Sequence, residues 1–298
     1  MKFLESARLL TAMVTPMNTA GRVDLERAGQ LAQRLLTQGS DGVVVSGTTG
    51  ESPTLSDGEK VELFRAVVHA VSGKGTVIAG TGTNDTAAAV KLSLAAEEAG
   101  ADAILVVSPY YNKPDQQGLL AHFSAIAQAT TLPVILYNHP GRTGVNIEAD
   151  TMAELARVPN IIGVKDSSGN LDLVTAYRLA AGPEFVIWSG DDPLTLPYLS
   201  VGAYGVISVA SHVVGPVIRR MLDAWERGDF LEARRLHEQT YRLSKALFCA
   251  PSPAPTKYAL AQMGFPVGGV RLPLLSCTPL AQKTLDEVLE GFDLRVGS

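Results

Sequence analysis

The sequence contains the run Ile161-Ile162-Gly163-Val164-Lys165, which is apolar and ends on a lysine. Its apolar residues stand on consecutive rather than alternate positions, which is typical of a parallel strand covered on both faces. The polar residues Asp166-Ser167-Ser168-Gly169 follow directly. The stretch therefore predicts a buried strand with polar side chains at its carboxyl end.

Seven further runs of this kind occur, rich in Val and Ile and mostly preceded by turn-forming residues. Their starts lie roughly 20–35 residues apart, about the length of one βα unit when ~250 residues make eight. With Ile161–Lys165 they predict eight strands, the others at Leu9–Thr15, Gly42–Ser46, Thr76–Ala79, Ala103–Ser108, Pro133–Tyr137, Phe185–Ser189 and Gly205–Val209.

Amphipathic helices are predicted between the strands. Leu25–Gln38 carries one apolar stripe at helical spacing. Ser56 and Glu59 form a capping box at the start of the next helix, and Asp192 before Pro193 is interpreted as the N-cap of another. Eight alternating units predict a (β/α)8 TIM barrel, and since no G-x-G-x-x-G follows a strand, they argue against a doubly wound sheet.

The strand pattern stops after about Arg227, and helical spacing alone continues through Phe230–Leu247, Pro255–Gln262 and Thr278–Leu289. We predict a catalytic barrel over residues 1–227 and a C-terminal helical extension over residues 228–298 that packs on it.

Composition excludes several classes of function. Of 298 residues, 25 are Lys or Arg and 30 are Asp or Glu, so the net charge of −5 argues against nucleic acid as a partner. No apolar run approaches the ~20 residues that span a bilayer, so no membrane partner is expected. Residues 1–5 carry an early acid and predict no cleavable leader. Cys249 and Cys277 are interpreted as two buried thiols, and the protein as cytoplasmic.

Chemistry in such a barrel lies at the carboxyl ends of the strands. Lys165 emerges there from an apolar strand, where burial favours the neutral amine that attacks a carbonyl to form a Schiff base. Tyr137, Tyr111 and Thr48 could relay protons. The alternatives are a lysine that extends to solvent and tyrosines that pack at the barrel rim.

Other groups at the same end suit carboxylates. The amides around Thr48 and Thr49 are approachable because glycines flank them, and Arg142 could hold a second carboxylate in bidentate fashion, although a loop arginine is usually solvated. Asp191 and Asp192 resemble a metal pair, but the N-cap interpretation of Asp192 is favoured. The histidines share no ligand spacing, so no metal is predicted: His69, His122, His139, His212 and His237.

Several stretches together resemble the dihydrodipicolinate synthase family, one of the pyruvate-dependent class I aldolases related to N-acetylneuraminate lyase. The resemblance covers essentially the whole chain, in order and with matching spacing. It is carried by Gly47-Thr48-Thr49-Gly50-Glu51-Ser52, Pro109-Tyr110-Tyr111-Asn112, Tyr137-Asn138, Gly141-Arg142-Thr143-Gly144, Gly163-Val164-Lys165 and Arg271-Leu272-Pro273-Leu274.

The resemblance implies a catalytic set and a reaction. Lys165 would form the Schiff base with pyruvate, and Tyr137 would donate and accept protons through Thr48 and through Tyr111 of a neighbouring subunit. The pyruvate enamine would attack L-aspartate 4-semialdehyde, and ring closure would release 4-hydroxy-tetrahydrodipicolinate, a step toward diaminopimelate and lysine. The resemblance implies no cofactor, and a homotetramer.

It also implies a binding set. Thr49 and Ile207 would contact the pyruvate carboxylate and the bound keto acid, Gly190 would line the pocket, and Arg142 would hold the carboxylate of the semialdehyde.

Departures from the family pattern leave other functions open. His139 stands where the synthases usually have a small apolar residue, and Asp166-Ser167-Ser168 also differs from them. Similar residues occur in relatives that cleave longer 2-keto acids, so an aldolase for a 2-keto-3-deoxy sugar acid is the alternative, against which Arg142 argues. A catalytically silent keto-acid sensor is a third reading, which the presence of Lys165 and Tyr137 disfavours.

The resemblance also bears on feedback by lysine. Ser52, Asn84 and Tyr110 match inhibited members of the family. Weak or absent inhibition is nevertheless predicted, because those members carry two histidines and a glutamate where this chain has Asp57, Lys60 and Ala88.

Overall fold

The computed structural model describes residues 7–292, and the predicted lack of a leader in residues 1–5 lies outside that range. Eight parallel strands close into a barrel, in which each strand pairs with its sequence neighbours and β8 pairs with β1. The predicted TIM barrel is confirmed. The strands are β1 (Leu9–Ala12), β2 (Gly42–Val45), β3 (Thr76–Gly80), β4 (Ala103–Val107), β5 (Val134–Asn138), β6 (Ile161–Asp166), β7 (Val186–Ser189) and β8 (Gly205–Ser208).

Helices cover the outside of the barrel and continue past it. Those up to β8 are α1 (Leu25–Thr37), α2 (Asp57–Val71), α3 (Thr86–Glu98), α4 (Gln116–Ala129), α5 (Pro140–Thr143), α6 (Ala149–Leu155), α7 (Leu171–Ala181) and α8 (Thr195–Ser200). Those after β8 are α9 (Ser211–Glu226), α10 (Phe230–Ala246), α11 (Ala254–Gln262) and α12 (Pro279–Leu289).

The core has two parts. One lies between the sheet and the surrounding helices, with Leu31 of α1, Phe64 of α2 and Phe123 of α4 fully buried. The other joins the barrel interior to the C-terminal helices, including Leu236 of α10 and Leu285 of α12. Each fully buried Leu or Phe side chain contributes about 1.5–3 kcal/mol to folding. The C-terminal helices are therefore held to the barrel by shared apolar packing.

The two predicted helix starts have different outcomes. The capping box is confirmed, because Ser56 Oγ accepts from the Glu59 amide and Glu59 Oε2 accepts from the Ser56 amide. The N-cap interpretation of Asp192 is wrong, since Asp192 is the first residue of a short 3₁₀ turn. Its carboxylate instead accepts from the amides of Val209 and Ala210, each at 2.9 Å, and so ties the turn after β7 to the end of β8.

The thiols also differ from expectation. Cys277 is buried as predicted, but Cys249 is exposed, because it lies in the loop beyond the end of α10. Within residues 7–292, no helix is both long enough and apolar enough to cross a bilayer.

Candidate active site

Lys165 and Tyr137 meet at the carboxyl end of the barrel. They are register partners on β6 and β5, and Lys165 Nζ lies 4.3 Å from the centroid of the Tyr137 ring. Both side chains are buried, with exposed fractions of 6% and 5%. The strand pairing thus places an amine and a phenol side by side, away from bulk water.

A buried polar network fixes the end of β6 next to this lysine. Asp166 is fully buried and accepts from Tyr198 Oη at 2.7 Å, Ser168 Oγ at 2.6 Å and Asn138 Nδ2 at 2.9 Å. Burial and the nearby Asp166 carboxylate raise the pKa of Tyr198, so its hydroxyl keeps its proton and donates. Asp166 therefore positions the strand end, whereas the sequence marked it only as a polar residue at the carboxyl end of the strand and as a departure from the family pattern.

The loop after β2 carries Thr48 and Thr49. Thr48 lines a cavity with Tyr137, whereas Thr49 is buried. The loop is held from the far end of the chain: Glu51 forms an ion pair with Lys257 of α11 at 2.6 Å and accepts from the Arg271 amide at 2.8 Å.

That ion pair was missed by sequence reasoning. Both of its side chains are almost fully buried, at 1% and 3% exposed, while Lys257 also donates to the Gly269 carbonyl. Glu51 lies within the Gly47–Ser52 motif, among small uncharged residues. A charged residue in such a loop is the only feature of the sequence that indicates a buried partner of opposite charge. Nothing in the pattern points to Lys257.

Two cavities open at this end of the barrel. The first, of about 320 Å³, is lined by Thr48 and Tyr137 among others; the second, of about 490 Å³, by Ser167 and Gly190 among others. His139 and Arg142 line both. Arg142 is exposed to solvent, which leaves its guanidinium accessible to a carboxylate in either cavity.

Only glycine fits at position 190, because the space next to Lys165 is too small for a side chain. A Cβ atom at position 190 would lie 2.0 Å from Ser167 Oγ and 2.9 Å from Lys165 Cε. Every other residue would collide with the lysine side chain and the serine hydroxyl. The pocket wall at this point is therefore backbone.

Three other predicted site residues do not line the two cavities. Ile207 is buried on β8, and neither it nor Thr49 is among the described residues that line the two cavities. Tyr111 is 89% exposed in the single chain, with its backbone in the left-handed region at φ 73°. Its predicted role in a neighbouring subunit's site stays a prediction.

His139 lies between the two cavities. Its ring is 5.9 Å from the Tyr137 ring in an edge-to-face arrangement. Burial, together with the Arg142 and Lys165 cations, lowers the pKa of His139 to about 4, so its imidazole is neutral near pH 7.

Three of the residues considered for lysine feedback lie at one edge of the first cavity. Ser52, Lys60 and Tyr110 line it, and Lys60 Nζ is 3.5 Å from Asp57 Oδ1. This edge therefore presents an ammonium group that is paired with a carboxylate. Over residues 7–292, no three His, Cys, Asp or Glu side chains gather closely enough to hold a metal ion.

Comparison with known proteins decides the family. Residues 5–291 match the model of the Dihydrodipicolinate synthetase family. The chain belongs to this family. Over 291 residues it is 50% identical to a 4-hydroxy-tetrahydrodipicolinate synthase of Heliobacterium modesticaldum, a match that covers 98% of this chain and 97% of the relative. The family expected from the sequence is thus confirmed.

Solved members of the family share the whole fold. The dihydrodipicolinate synthase of Bacillus anthracis superposes with a TM-score of 0.94 at 46% identity, covering 96% of this chain and 98% of that chain. The enzyme of Cyanidioschyzon merolae, solved with lysine bound, has the same TM-score at 47% identity, with the same two coverages.

Proposed function

We propose that this protein condenses pyruvate with L-aspartate 4-semialdehyde to give 4-hydroxy-tetrahydrodipicolinate. The observation that carries the proposal is the buried amine of Lys165 against the Tyr137 ring, at the mouth of a barrel. Relatives about 50% identical over nearly the full length are named for this activity. Arg142, exposed beside both cavities, supplies a cation for the carboxylate of the semialdehyde.

The chemistry follows from an amine in this position. Lys165 Nζ attacks the keto carbon of pyruvate, and the carbinolamine loses water to give an imine. Loss of a methyl proton gives the enamine, whose carbon attacks the aldehyde and leaves a hydroxyl group after protonation. The amine of the former semialdehyde then attacks the imine carbon, closes the ring and expels Lys165. Tyr137 moves the protons, together with Thr48 and the partner subunit's Tyr111.

The remaining predicted contacts belong to the same proposal. Thr49 and Ile207 contact the carboxylate and the bound keto acid, and Gly190 gives the intermediate room beside Lys165. The reaction requires no cofactor and no metal, because the lysine itself provides the electrophilic imine. We place the protein in the cytoplasm as a homotetramer, with residues 1–227 as the catalytic barrel and residues 228–298 as the helical extension.

Pyruvate consumption tests the proposal, measured with and without the semialdehyde for the native protein and Lys165→Ala. We expect rapid consumption that needs both the semialdehyde and Lys165, and borohydride trapping of a pyruvate adduct on Lys165. A well-folded native protein that forms the adduct without semialdehyde-dependent turnover would instead favour an aldolase for a longer 2-keto acid. Failure to trap any adduct would contradict Schiff-base chemistry altogether.

A further inference from the structure

Two residues that line the same cavity each carry a buried polar side-chain atom that has no hydrogen-bond partner among residues 7–292. The atoms are His139 Nδ1 and Ser167 Oγ, and both residues line the cavity of about 490 Å³ beside Arg142 and Gly190. Buried polar atoms in proteins are nearly always paired, so an unpaired one needs an explanation. Two in one cavity, next to the reacting lysine, indicate that a ligand supplies the missing partner.

Ser167 is held close to the reaction centre. Its amide donates to the Asn138 carbonyl at 2.8 Å, which fixes the residue just beyond the end of β6. Its hydroxyl and the Lys165 Cε atom flank the same point above Gly190. The Ser167 hydroxyl therefore lies beside the Lys165 side chain, on the same side of Gly190.

His139 faces this cavity from the end of β5. Its neutral imidazole carries a lone pair on one ring nitrogen, as the serine hydroxyl does on its oxygen. An imidazolium would repel a cationic group, whereas a neutral ring can accept a hydrogen bond from it. Asp191 lines the same cavity, so the cavity contains a carboxylate as well as the cations of Arg142 and Lys245.

We propose that His139 and Ser167 bind the amino group of the acceptor aldehyde while Arg142 binds its carboxylate. The inference rests on the proposed function and extends it, because it assigns the amino group a binding site of its own. An amino group has hydrogens to donate to both unpaired atoms.

The test compares two acceptors that differ only in the amino group: L-aspartate 4-semialdehyde and succinate semialdehyde. His139→Val and Ser167→Ala are assayed for kcat and for KM of the amino aldehyde, and for competitive inhibition by succinate semialdehyde. We expect KM for the amino aldehyde to rise about tenfold in each variant, since each loses one hydrogen bond to a charged group. Inhibition by succinate semialdehyde and KM for pyruvate should change less than twofold.

Matched controls separate a local effect from a general loss of packing. Ser93→Ala removes a buried hydroxyl on α3, and His122→Val removes a histidine of α4; neither residue lines the cavity. Both controls should keep native kinetic constants per folded molecule.

Three results would overturn the assignment. Unchanged KM for the amino aldehyde in both variants would show that the two atoms do not bind it. Equal weakening of both aldehydes would indicate a role in pocket shape alone. Absence of semialdehyde turnover by native protein would reject the proposed function and this assignment together, whereas the first two results leave the proposed function intact.

Discussion

The two ends of the barrel are each fastened by a carboxylate paired with a cation, but in different surroundings. At the amino end, Asp41 accepts from the amides of Arg8 and Leu9 and forms an ion pair with Arg219 at 2.5 Å. At the carboxyl end, Glu51 pairs with Lys257 at 2.6 Å. The first pair is about one-fifth exposed, whereas the second is almost fully buried.

The difference shows what each end requires. Asp41 fastens the start of β1, where a small displacement changes no chemistry. Glu51 fastens the loop that carries Thr48 and Thr49, where a displacement of about 1 Å can cost a hundredfold in rate. A dry ion pair is costly to assemble, but it allows few alternative arrangements of the loop. The ion pair at the amino end therefore contributes to stability, whereas the ion pair at the carboxyl end also holds the geometry of the active-site loop.

Of the changes at these two ion pairs, the largest effect is expected from Lys257→Met, which leaves the Glu51 carboxylate buried without its cation. Breaking such a pair costs about 3–5 kcal/mol, and we expect kcat/KM to fall about 10- to 100-fold as the loop shifts. Urea unfolding and steady-state kinetics on the same preparations measure both. The double variant Glu51→Gln with Lys257→Met removes both charges and should recover part of each loss. Native kcat/KM in the single variant would show that the pair does not position the loop.

A smaller effect, confined to stability, is expected at the amino end. Asp41→Asn weakens the bonds to the Arg8 and Leu9 amides and removes the ion pair with Arg219, at a cost of about 1–3 kcal/mol. The kcat/KM per folded molecule should stay native, because Asp41 holds the start of β1 and not a loop that lines an active-site cavity. A fall in kcat/KM as large as that of Lys257→Met would remove the distinction between the two ends.

A third prediction concerns the stability of the protein in acid, through an ion pair near the carboxyl end of the barrel. Hydrogen bonds from the Arg271 guanidinium lower the pKa of Glu59 to about 2. A depressed carboxyl pKa stabilises the fold above its unfolded value of about 4.5, and the contribution is lost as pH falls from there toward 2. Glu59→Gln should therefore be less stable than native protein at pH 7, by under about 1 kcal/mol because the pair is partly exposed.

The pH dependence of that difference is the measurement. Urea midpoints of native protein and Glu59→Gln, recorded from pH 7 down to pH 3, should converge in acid. A constant difference would mean that the ionised carboxylate is not the source of the stabilisation.

The smallest effect is expected from L-lysine. Lys60, part of the first cavity's edge, presents an ammonium that repels the ligand's own, and Ala88 offers no carboxylate to pair with it. Activity titrated with L-lysine should show little or no inhibition. Half-inhibition below 1 mM would contradict this prediction and would place a working effector site at the same end of the barrel as the chemistry.

The barrel could be predicted from sequence because each strand is a short run of consecutive apolar residues. The predicted ends of the strands were less accurate where the chain stays buried beyond the last residue that pairs in the sheet. The first strand was predicted to reach Thr15 but ends at Ala12. Beyond it, Val14 donates to the His212 ring and Thr15 to the Gly50 carbonyl, so the chain stays buried while its partners are loops and side chains.

The site was predictable only in part. Lys165 and Tyr137 could be expected to meet, because the carboxyl ends of neighbouring strands share one edge. The partners of Glu51 and Asp192 could not, since long-range pairs between charged or polar groups leave no periodic signal. The unpaired state of His139 and Ser167 is likewise visible only when the surrounding atoms are placed.

Trp188 gives the protein an internal optical reporter. It is the register partner of Lys165 on β7, its indole is fully buried, and its ring nitrogen donates to the Ala7 carbonyl at 2.7 Å. The sequence has one other tryptophan, Trp225, which is partly exposed on α9. With Trp225 replaced by Phe, emission would come from a single rigid indole inside the barrel, so unfolding of the strands could be followed by fluorescence without a label.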